Sequence, residues 1–373
     1  MDRAGLRTWI EVDARALRKN YRIFRGLIPK KTRLMAVVKS NAYGHSIVDF
    51  SKTLNKFGAG WFGVDSIVEA RTLRREGIKK PILVLGSTLP EWYVEAAQNN
   101  ISVTLSNFES LDKAIKQGTV RKPLKAHIKI DTGMHRQGFM PNDIERVLEY
   151  FKEKKNCLLF EGVYTHFAAA KNPAFPRDTQ TQIDIFTTIA DRVAKAGFKP
   201  LRHAAATAGT ILFLSSHFDM VRIGIGLYGL WPSREVRAFA ERNFRFVPAL
   251  TWKTVITEIK DLPAGSAVGY DLSETLHKPS RVAVLPVGYW HGYPRALSSI
   301  GYVIIRGKRA KIIGRVSMDM LVVDVSRIKN IRMRDEVTLL GLDISADEFA
   351  DLVGTSNYEI VTRINPLIKR IYT

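Results

Sequence analysis

The sequence has 373 residues, of which 46% are hydrophobic and 25% charged, a balance typical of globular proteins and not of disordered ones. Its length suits two domains, or one large barrel with an appended domain. Lys and Arg (57) outnumber Asp and Glu (36), giving a formal net charge of +21. Because the basic residues are scattered along the chain and accompany no nucleic-acid-binding motif, we predict no nucleic-acid partner.

The sequence also argues against a membrane or secreted protein. No run approaches the ~20 apolar residues that a membrane helix requires, and residues 1–17 lack the apolar segment of a signal peptide. Cys157 is the only cysteine, so no disulfide can form within the chain. We therefore predict a cytoplasmic protein with no membrane partner.

From about residue 33 to 230, short apolar runs alternate with longer segments of helical periodicity. The apolar runs predict eight strands, at 34–39, 60–64, 81–85, 101–105, 124–130, 158–164, 201–204 and 219–223. The helical segments lie at 46–58, 66–77, 91–100, 107–118, 142–154, 181–197 and 207–215. Such alternation indicates an α/β fold with a parallel sheet, and eight strands predict a TIM-type (β/α)8 barrel. A doubly wound open sheet is the alternative, because periodicity does not determine closure.

The pattern changes near residue 240. Residues 242–270 and 301–325 show strand-like alternation with glycine turns, and residues 344–354 predict a helix with Ser345 as its N-cap. We predict a barrel domain over 1–240 and a mostly-β domain over 241–373. The first ~10 residues are candidates to pack with the second domain.

The active site of a TIM barrel lies at the carboxyl ends of its strands. Lys39 closes the first predicted strand, where a buried amine can act as a base or as an imine-forming nucleophile. A lysine whose charged end reaches solvent is the alternative. Arg136, His166 and Thr207 follow later strands and are predicted to reach the same rim.

The loops after the seventh and eighth strands are the common phosphate site of this fold. Here they offer Thr207 at a predicted helix N-cap position and the run Gly224–Ile225–Gly226, whose backbone N–H groups can bind phosphate. A lysine for an imine and a phosphate site in one barrel suggest pyridoxal 5′-phosphate (PLP). Arg222 interrupts the apolar eighth strand and needs a buried partner, either a barrel carboxylate or the pyridine nitrogen of PLP.

Seven motifs together resemble the bacterial alanine racemase family. They are AVVKSNAYGH (36–45), KIDTGMHRQGF (129–139), RIGIGLYG (222–229), VGYD (268–271), LPVGYWHGYPR (285–295), GRVSMDM (314–320) and NYEIVTRINPLIKRIY (357–372). The likeness runs nearly end to end and is highly specific, because chance would not give all seven in this order and spacing. The family comprises PLP-dependent homodimers with an N-terminal barrel and a C-terminal β domain that completes the partner's site.

The resemblance implies an isomerase that interconverts L- and D-alanine with two bases. Lys39 would hold PLP and act on one face of the substrate, and Tyr270 from the other subunit would act on the opposite face. His166 would link Arg222 to Tyr270, and a cationic pair of His166 and Arg222 would make the phenol more acidic. The implied role is to supply D-alanine for peptidoglycan precursors.

The resemblance also carries over further binding positions. Those for PLP are Lys39, Tyr43, His166, His203, Thr207, Arg222, Gly224, Ile225 and Tyr358. Those for substrate are Arg136, Met318, Asp319 and Tyr289, of which Tyr289 would narrow the entry channel. Lys129 is a position where some members carry a carbamylated lysine that orients Arg136. Two positions depart from the family pattern: Thr207 replaces the usual Ser, and Ser317 replaces a common Cys.

Three other functions stay open at this point. A racemase of broad specificity would differ only in pocket width, which the sequence does not give. A PLP decarboxylase of the same plan would carry an acid at the pyridine nitrogen, so Arg222 and Tyr270 disfavour it. A PLP carrier resembles the barrel alone, so the C-terminal domain disfavours it. We predict no catalytic metal, because no HExxH or CxxC motif is present.

Overall fold

A computed structural model describes residues 3–117, 122–153 and 157–373. The strands are, in chain order, β1 (Thr8–Val12), β2 (Arg33–Val37), β3 (Trp61–Val64), β4 (Ile82–Ser87), β5 (Ile101–Leu105), β6 (Leu124–Lys129), β7 (Leu158–Tyr164), β8 (Leu201–His203), β9 (Met220–Ile223), β10 (Leu250–Val255), β11 (Glu258–Leu262), β12 (Ala267–Val268), β13 (Glu274–Thr275), β14 (Ser280–Leu285), β15 (Tyr302–Ile305), β16 (Lys308–Ile313), β17 (Leu321–Asp324), β18 (Glu336–Leu340) and β19 (Arg370–Tyr372). The right-handed helices are Ala14–Leu27, Ile47–Phe57, Ile67–Arg75, Tyr93–Gln98, Phe108–Gln117, Ile144–Glu153, Pro176–Lys195, Thr207–Leu212, Arg234–Ala240, Ala346–Val353 and Asn357–Thr362. The last residues of two predicted helical segments, 118 and 154, lie outside the described residues.

The chain divides into two compact units. The barrel unit contains Leu17–Ala42 and Ile47–Val247. The other, called the β unit below, contains the described residues up to Ala16 together with Tyr43–Ser46 and Pro248–Thr373. In the described part of the chain, no helix is long and apolar enough to cross a membrane.

The barrel unit is built on one parallel sheet with the strand order β8-β7-β6-β5-β4-β3-β2-β9. Two backbone hydrogen bonds join its ends, from Asp219 N to Arg202 O at 3.0 Å and from Arg222 N to Ala205 O at 2.9 Å. The ring of eight strands is therefore nearly closed. The predicted TIM-type fold is confirmed, and the doubly wound alternative is wrong.

Apolar side chains from neighbouring strands fill the barrel interior. Met35, Trp61, Leu83 and Met220 come from β2, β3, β4 and β9 and form one buried cluster. Parallel strands that are covered on both faces read as nearly continuous apolar runs. This is why the runs in the sequence located all eight strands.

The β unit contains a nine-stranded sheet with the order β11-β14-β17-β16-β15-β18-β10-β1-β19. β1 pairs antiparallel with β10 and parallel with β19, so the first and last strands of the described residues are neighbours. The predicted helix begins after Ser345, whose side chain accepts a hydrogen bond from Glu348 N at 3.1 Å. The mostly-β character predicted for this region is confirmed.

Candidate active site

Lys39 lies just beyond β2, at the start of a left-handed turn. Residues Ser40 to Tyr43 have φ values between 50° and 54°, although none is glycine. Each such residue costs about 1–2 kcal/mol, and strained backbone of this kind concentrates at functional sites. The prediction that Lys39 ends a strand among apolar residues is wrong. β2 ends at Val37, and the turn leaves 39% of the Lys39 side chain exposed.

Two acidic residues after β3 contact this turn. Lys39 Nζ lies 3.3 Å from Asp65 Oδ1. The Glu69 carboxylate accepts hydrogen bonds from Ser40 N at 2.6 Å and from Asp65 N at 2.8 Å. Glu69 therefore joins the loop after β3 to the turn that carries the lysine. Neither acid was predicted to belong to the site.

Arg222 on β9 is buried, with 3% of its surface exposed. Its guanidinium donates to His203 Nδ1 at 2.9 Å, to His166 Nδ1 at 3.2 Å, and to the carbonyls of Thr165 and Ala204 at 2.8 Å. Burial lowers the pKa of Arg222 to about 10, which keeps it protonated at neutral pH. None of its four acceptors is a carboxylate, so a direct ion pair does not explain its burial.

His166 follows β7 and meets Arg222 from the rim side. Burial, followed by the positive charges of Arg222 and Arg136, lowers the pKa of His166 to about 3. The ring is neutral at physiological pH, and the prediction of a cationic His166 is wrong, because the neighbouring guanidinium repels a second positive charge. Neutral His166 accepts from Arg222 at Nδ1 and has an N–H donor at Nε2.

Lys129 ends β6, and Arg136 lies on the loop that follows. The Asp131 carboxylate shapes this loop by accepting hydrogen bonds from the backbone N–H groups of residues 133–135, each at 3.0 Å. Lys129 is 5% exposed and donates to Gln137 Oε1 at 3.1 Å. Burial and the nearby charge of Arg136 lower the pKa of Lys129 to about 8. A sizeable fraction of this amine is therefore neutral near pH 7.5.

A cluster of donors lies where the loops after β8 and β9 meet. The backbone N–H groups of Gly224 and Gly226 point to Thr207 Oγ1, at 3.3 and 3.5 Å. A Cβ at Gly226 would lie 2.4 Å from the Phe24 ring, so this close approach requires glycine. Thr207 is the first residue of its helix and not the N-cap. Thr207 Oγ1 accepts from both N–H groups and can still donate its own proton, so the hydroxyl can supply a donor to an anionic oxygen.

The barrel brings the predicted residues of this unit to neighbouring strand ends. Lys39 follows β2, Arg136 follows β6, and His166 follows β7. Thr207 follows β8, and Gly224 and Ile225 follow β9. His203 and Arg222 lie within β8 and β9, just beneath this rim.

In the β unit, Tyr270 begins a short 3-10 turn and is 69% exposed. The turn is held by an ion pair between Asp271 and Arg315. Gly269 precedes it with φ +83, and a Cβ there would lie 3.0 Å from Arg315 N. The Tyr270 side chain therefore lies on a turn that these contacts hold in place, and its ring is exposed to solvent.

Two further loops of the β unit carry predicted substrate residues. Tyr289 N donates to Ser317 O and Trp290 N to Met318 O, both at 3.0 Å. Tyr289 is 42% exposed and Met318 55% exposed, and the Asp319 side chain lies 4.0 Å from His291 Nδ1. These hydrogen bonds hold the two loops, and with them Tyr289, Met318 and Asp319, side by side.

Tyr43 and Tyr358 also meet within the β unit, with ring centroids 6.1 Å apart. Burial raises the pKa of Tyr358 above its usual value, so its phenol stays protonated. Gly44 follows Tyr43 with φ +84, and a Cβ there would lie 2.1 Å from Val361 O. Arg370 Nε donates to Gly44 O at 3.0 Å. The Tyr43 segment is thus packed closely against the helix that carries Tyr358.

Comparisons with known proteins agree with this arrangement. The family model of the alanine racemase N-terminal domain matches residues 12–232, and that of the C-terminal domain matches residues 249–372. The chain belongs to the alanine racemase family. The family predicted from the seven motifs is thereby confirmed.

Alanine racemase relatives match over nearly the whole chain. An alanine racemase of Symbiobacterium thermophilum is 39% identical and covers 100% of this chain and 99% of its own length. An alanine racemase of Carboxydothermus hydrogenoformans is 40% identical and covers 98% of this chain and 99% of its own length. Alanine racemase of Clostridium difficile 630 superposes with a TM-score of 0.94 at 31% identity, over 100% of this chain and 97% of its own. The structure of alanine racemase from Bacillus anthracis with bound L-Ala-P superposes with a TM-score of 0.93 at 35% identity, over 98% of this chain and 95% of its own.

The sequence analysis did not predict several polar residues that this alanine racemase fold places at the rim or in the barrel interior. Asp65 and Glu69 follow an apolar run, as ordinary loop and helix residues do. His127 and Glu161 lie inside the apolar runs of β6 and β7. Only their place in such runs, as with Arg222, could have marked them as buried polar groups in need of partners.

Proposed function

We propose that this chain is a PLP-dependent alanine racemase that works as a homodimer. The observation that carries the proposal is the barrel rim, where the Lys39 amine, the buried Arg222 cation and the Thr207 donor cluster follow neighbouring strands. Alanine is the proposed substrate because relatives that match along the entire chain bear that name.

The donors on this rim fit PLP at three separate groups of that cofactor. The Lys39 amine can form an imine with its aldehyde. Arg222 has N–H donors and no acceptor, which suits an unprotonated pyridine nitrogen. The Thr207 hydroxyl can donate to its phosphate, and the family motif adds Gly224 and Ile225 as backbone ligands of the same group. When bound, PLP withdraws electrons from the substrate Cα and makes the Cα proton acidic.

Racemisation removes a proton from one face of Cα and returns one to the other. We assign Lys39 Nζ to one face and the Tyr270 phenol of the second subunit to the other. Arg136 would bind the substrate carboxylate, with Met318 and Asp319 bounding it and Tyr289 narrowing the entry. Tyr43 and Tyr358 remain the predicted phosphate ligands, and His203 remains the group behind Arg222.

A second copy of the chain is the proposed cover for the exposed face around Tyr270. Large apolar or aromatic side chains in this part of the β unit are exposed to solvent: Tyr270 69%, Leu272 70%, Trp290 58%, Met318 55% and Met320 54%. Exposed apolar groups that cluster in this way mark interaction surfaces. A homodimer would remove them from water and would bring Tyr270 to the partner's barrel.

Optical activity of alanine tests the proposal directly. We expect PLP-loaded protein to reduce the circular dichroism of L-alanine to zero, and that of D-alanine equally, because the two enantiomers have the same free energy. Borohydride should stop the reaction by fixing PLP on the protein. Serine in place of alanine tests the broad-specificity alternative. A PLP-loaded protein that leaves the optical activity of alanine constant would exclude the proposed function.

We further expect Lys129 to carry a carbamate. Its pKa near 8 leaves much of the amine neutral at physiological pH, and only the neutral amine attacks CO2, forming an N–C bond and releasing a proton. Protein equilibrated with 13C-bicarbonate should therefore show a carbamate carbon signal that grows as the pH rises from 6.5 to 8. Lys129→Ala should lack the signal, whereas Lys122→Ala, which removes an exposed lysine just before β6, should keep it. A spectrum without any signal that depends on Lys129 would contradict the carbamate.

A further inference from the structure

A hydrogen-bonded chain of side chains runs from Arg222 through the barrel interior to Glu161. Arg222 Nη1 donates to His203 Nδ1 at 2.9 Å, and His203 Nε2 lies 2.8 Å from His127 Nδ1. His127 Nε2 in turn lies 3.2 Å from Glu161 Oε2. Both histidines are fully buried, and 14% of the Glu161 side chain is exposed. A buried cation on β9 is thus connected to a carboxylate on β7, which is not in direct contact with it.

Arg222 and Glu161, the two ends of this hydrogen-bonded series of side chains, fix the direction of every hydrogen bond in it. A guanidinium only donates, so His203 Nδ1 must accept and its proton must lie on Nε2. His203 therefore donates to His127 Nδ1, and His127 carries its own proton on Nε2 and donates to Glu161. The reverse direction would place an N–H of His203 against an N–H of Arg222, which is repulsive.

Charge and burial agree with this direction. Burial lowers the pKa of both His127 and His203, so each ring is neutral. Burial opposes ionisation of Glu161, but hydrogen bonds with His127 and Ser102 and the charge of Lys125, 3.3 Å away, hold its pKa well below its usual range. One cation and one anion therefore end the chain, with two neutral rings between them.

Packing around the two rings leaves little room for them to turn. Gly162 makes space for His127, since a Cβ there would lie 2.2 Å from His127 Nδ1. Trp61 meets the His127 ring edge-on at 5.5 Å between centroids. Tyr164 stacks on His203 at 4.7 Å with an interplanar angle of 6°. The rings are held in the orientation that the chain requires.

We propose that Glu161 and His127 are positioning residues for Arg222. Glu161 accepts the last proton of the chain, which keeps His203 Nδ1 available as an acceptor and so holds the guanidinium in place for the pyridine nitrogen of PLP. Its negative charge also offsets the buried positive charge of Arg222. This inference rests on the proposed function, because it assigns two more residues to the same cofactor.

Nitrogen NMR of 15N-histidine-labelled, PLP-loaded protein tests the direction of the hydrogen bonds between Arg222 and Glu161. We expect the His127 and His203 signals, assigned with His127→Gln and His203→Gln, to show neutral rings protonated at Nε2 from pH 6 to 9. In Glu161→Gln, an additional population protonated at Nδ1 should appear, because an amide can donate as well as accept. Asp219→Asn is the matched control. It removes a barrel carboxylate that pairs with Arg202 at 2.9 Å and lies outside the chain, so the wild-type signals should persist.

Steady-state kinetics give a second readout. Glu161→Gln should lower kcat for alanine by about tenfold, the lower end of the loss seen when metal-ligating side chains lose their hydrogen-bond partners, with KM unchanged. Asp219→Asn should keep the wild-type kcat. Wild-type rings protonated at Nδ1, or Glu161→Gln with wild-type histidine signals and wild-type kcat, would overturn the inference.

The outcomes separate this inference from the proposed function. The tautomers are measured in the wild-type protein without any turnover, and the two histidine variants serve only to assign its signals. If alanine is racemised while the histidines are protonated at Nδ1, the inference fails and the function stands. If PLP-loaded protein shows the expected tautomers but does not racemise alanine, the proposed function fails. The role of Glu161 and His127 in positioning Arg222 for PLP then fails with it.

Discussion

Replacing Lys39 with alanine is expected to lower alanine racemisation by about four orders of magnitude or more, because under the proposed mechanism the variant would lose both the covalent attachment of PLP and one of the two proton carriers. The left-handed turn after β2 and the contact of Lys39 Nζ with Asp65 at 3.3 Å hold this amine at the rim. The measurement is the decay of circular dichroism of L-alanine at saturating PLP. Peptide mapping after borohydride treatment should find PLP on Lys39 in the wild-type protein.

Lys52→Ala is a matched control for this experiment. Lys52 also pairs with an acid, Glu76, at 2.7 Å, and its side chain is 46% exposed against 39% for Lys39. Its removal should leave both racemisation and PLP attachment at wild-type levels. Borohydride-fixed PLP on another lysine, or a Lys39→Ala variant with more than a few per cent of wild-type activity, would show that the assignment is wrong.

Replacing Tyr270 with phenylalanine should lower racemisation by about 10²–10⁴-fold, the range attributed to one general acid–base group. Both directions must fall together, because the equilibrium constant is one. The remaining base still removes and returns a proton on its own face. In D2O, the variant should therefore exchange the Cα hydrogen of one alanine enantiomer and not of the other. Tyr302→Phe, which alters a half-buried tyrosine on β15 of the same unit, should racemise alanine at close to the wild-type rate.

Mixed dimers test whether Tyr270 acts in the partner's site. A dimer purified through two different tags would combine one Lys39→Ala subunit with one Tyr270→Phe subunit. If sites are shared across the dimer, one of the two has both residues intact, and about half of the wild-type activity returns. If each chain used its own Tyr270, both sites would be defective. A mixed dimer as inactive as its parents would thus refute the shared site.

The barrel could be predicted from the sequence because buried parallel strands leave an unmistakable apolar pattern. All eight runs became strands, from Arg33–Val37 to Met220–Ile223. The setting of Lys39 could not be predicted in the same way. Its exposure depends on four consecutive residues with positive φ, and none of them is glycine, the residue that ordinarily signals such a conformation.

The sequence could predict only part of the site, for a different reason. Arg222 stood out because a charge in an apolar strand requires partners, but the identity of those partners depends on which strands are neighbours. Glu161 and His127 are 61 and 95 residues from Arg222 in sequence, and only closure of the barrel brings them into one chain of hydrogen bonds. Tyr270 and Tyr358 carry no pattern of their own and were found through the family motifs alone.

The position of β1 has a consequence for how the protein is made. β1 leaves the ribosome long before both of its neighbours, β10 at Leu250–Val255 and β19 at Arg370–Tyr372. At about 5–20 residues per second, β1 waits roughly 12–48 s for its first partner. Meanwhile every strand of the barrel is synthesised. The nascent chain thus has a long interval in which all barrel strands have been made while β1 still lacks both partners, and an exposed strand edge of this kind is where a chaperone or another nascent chain can bind.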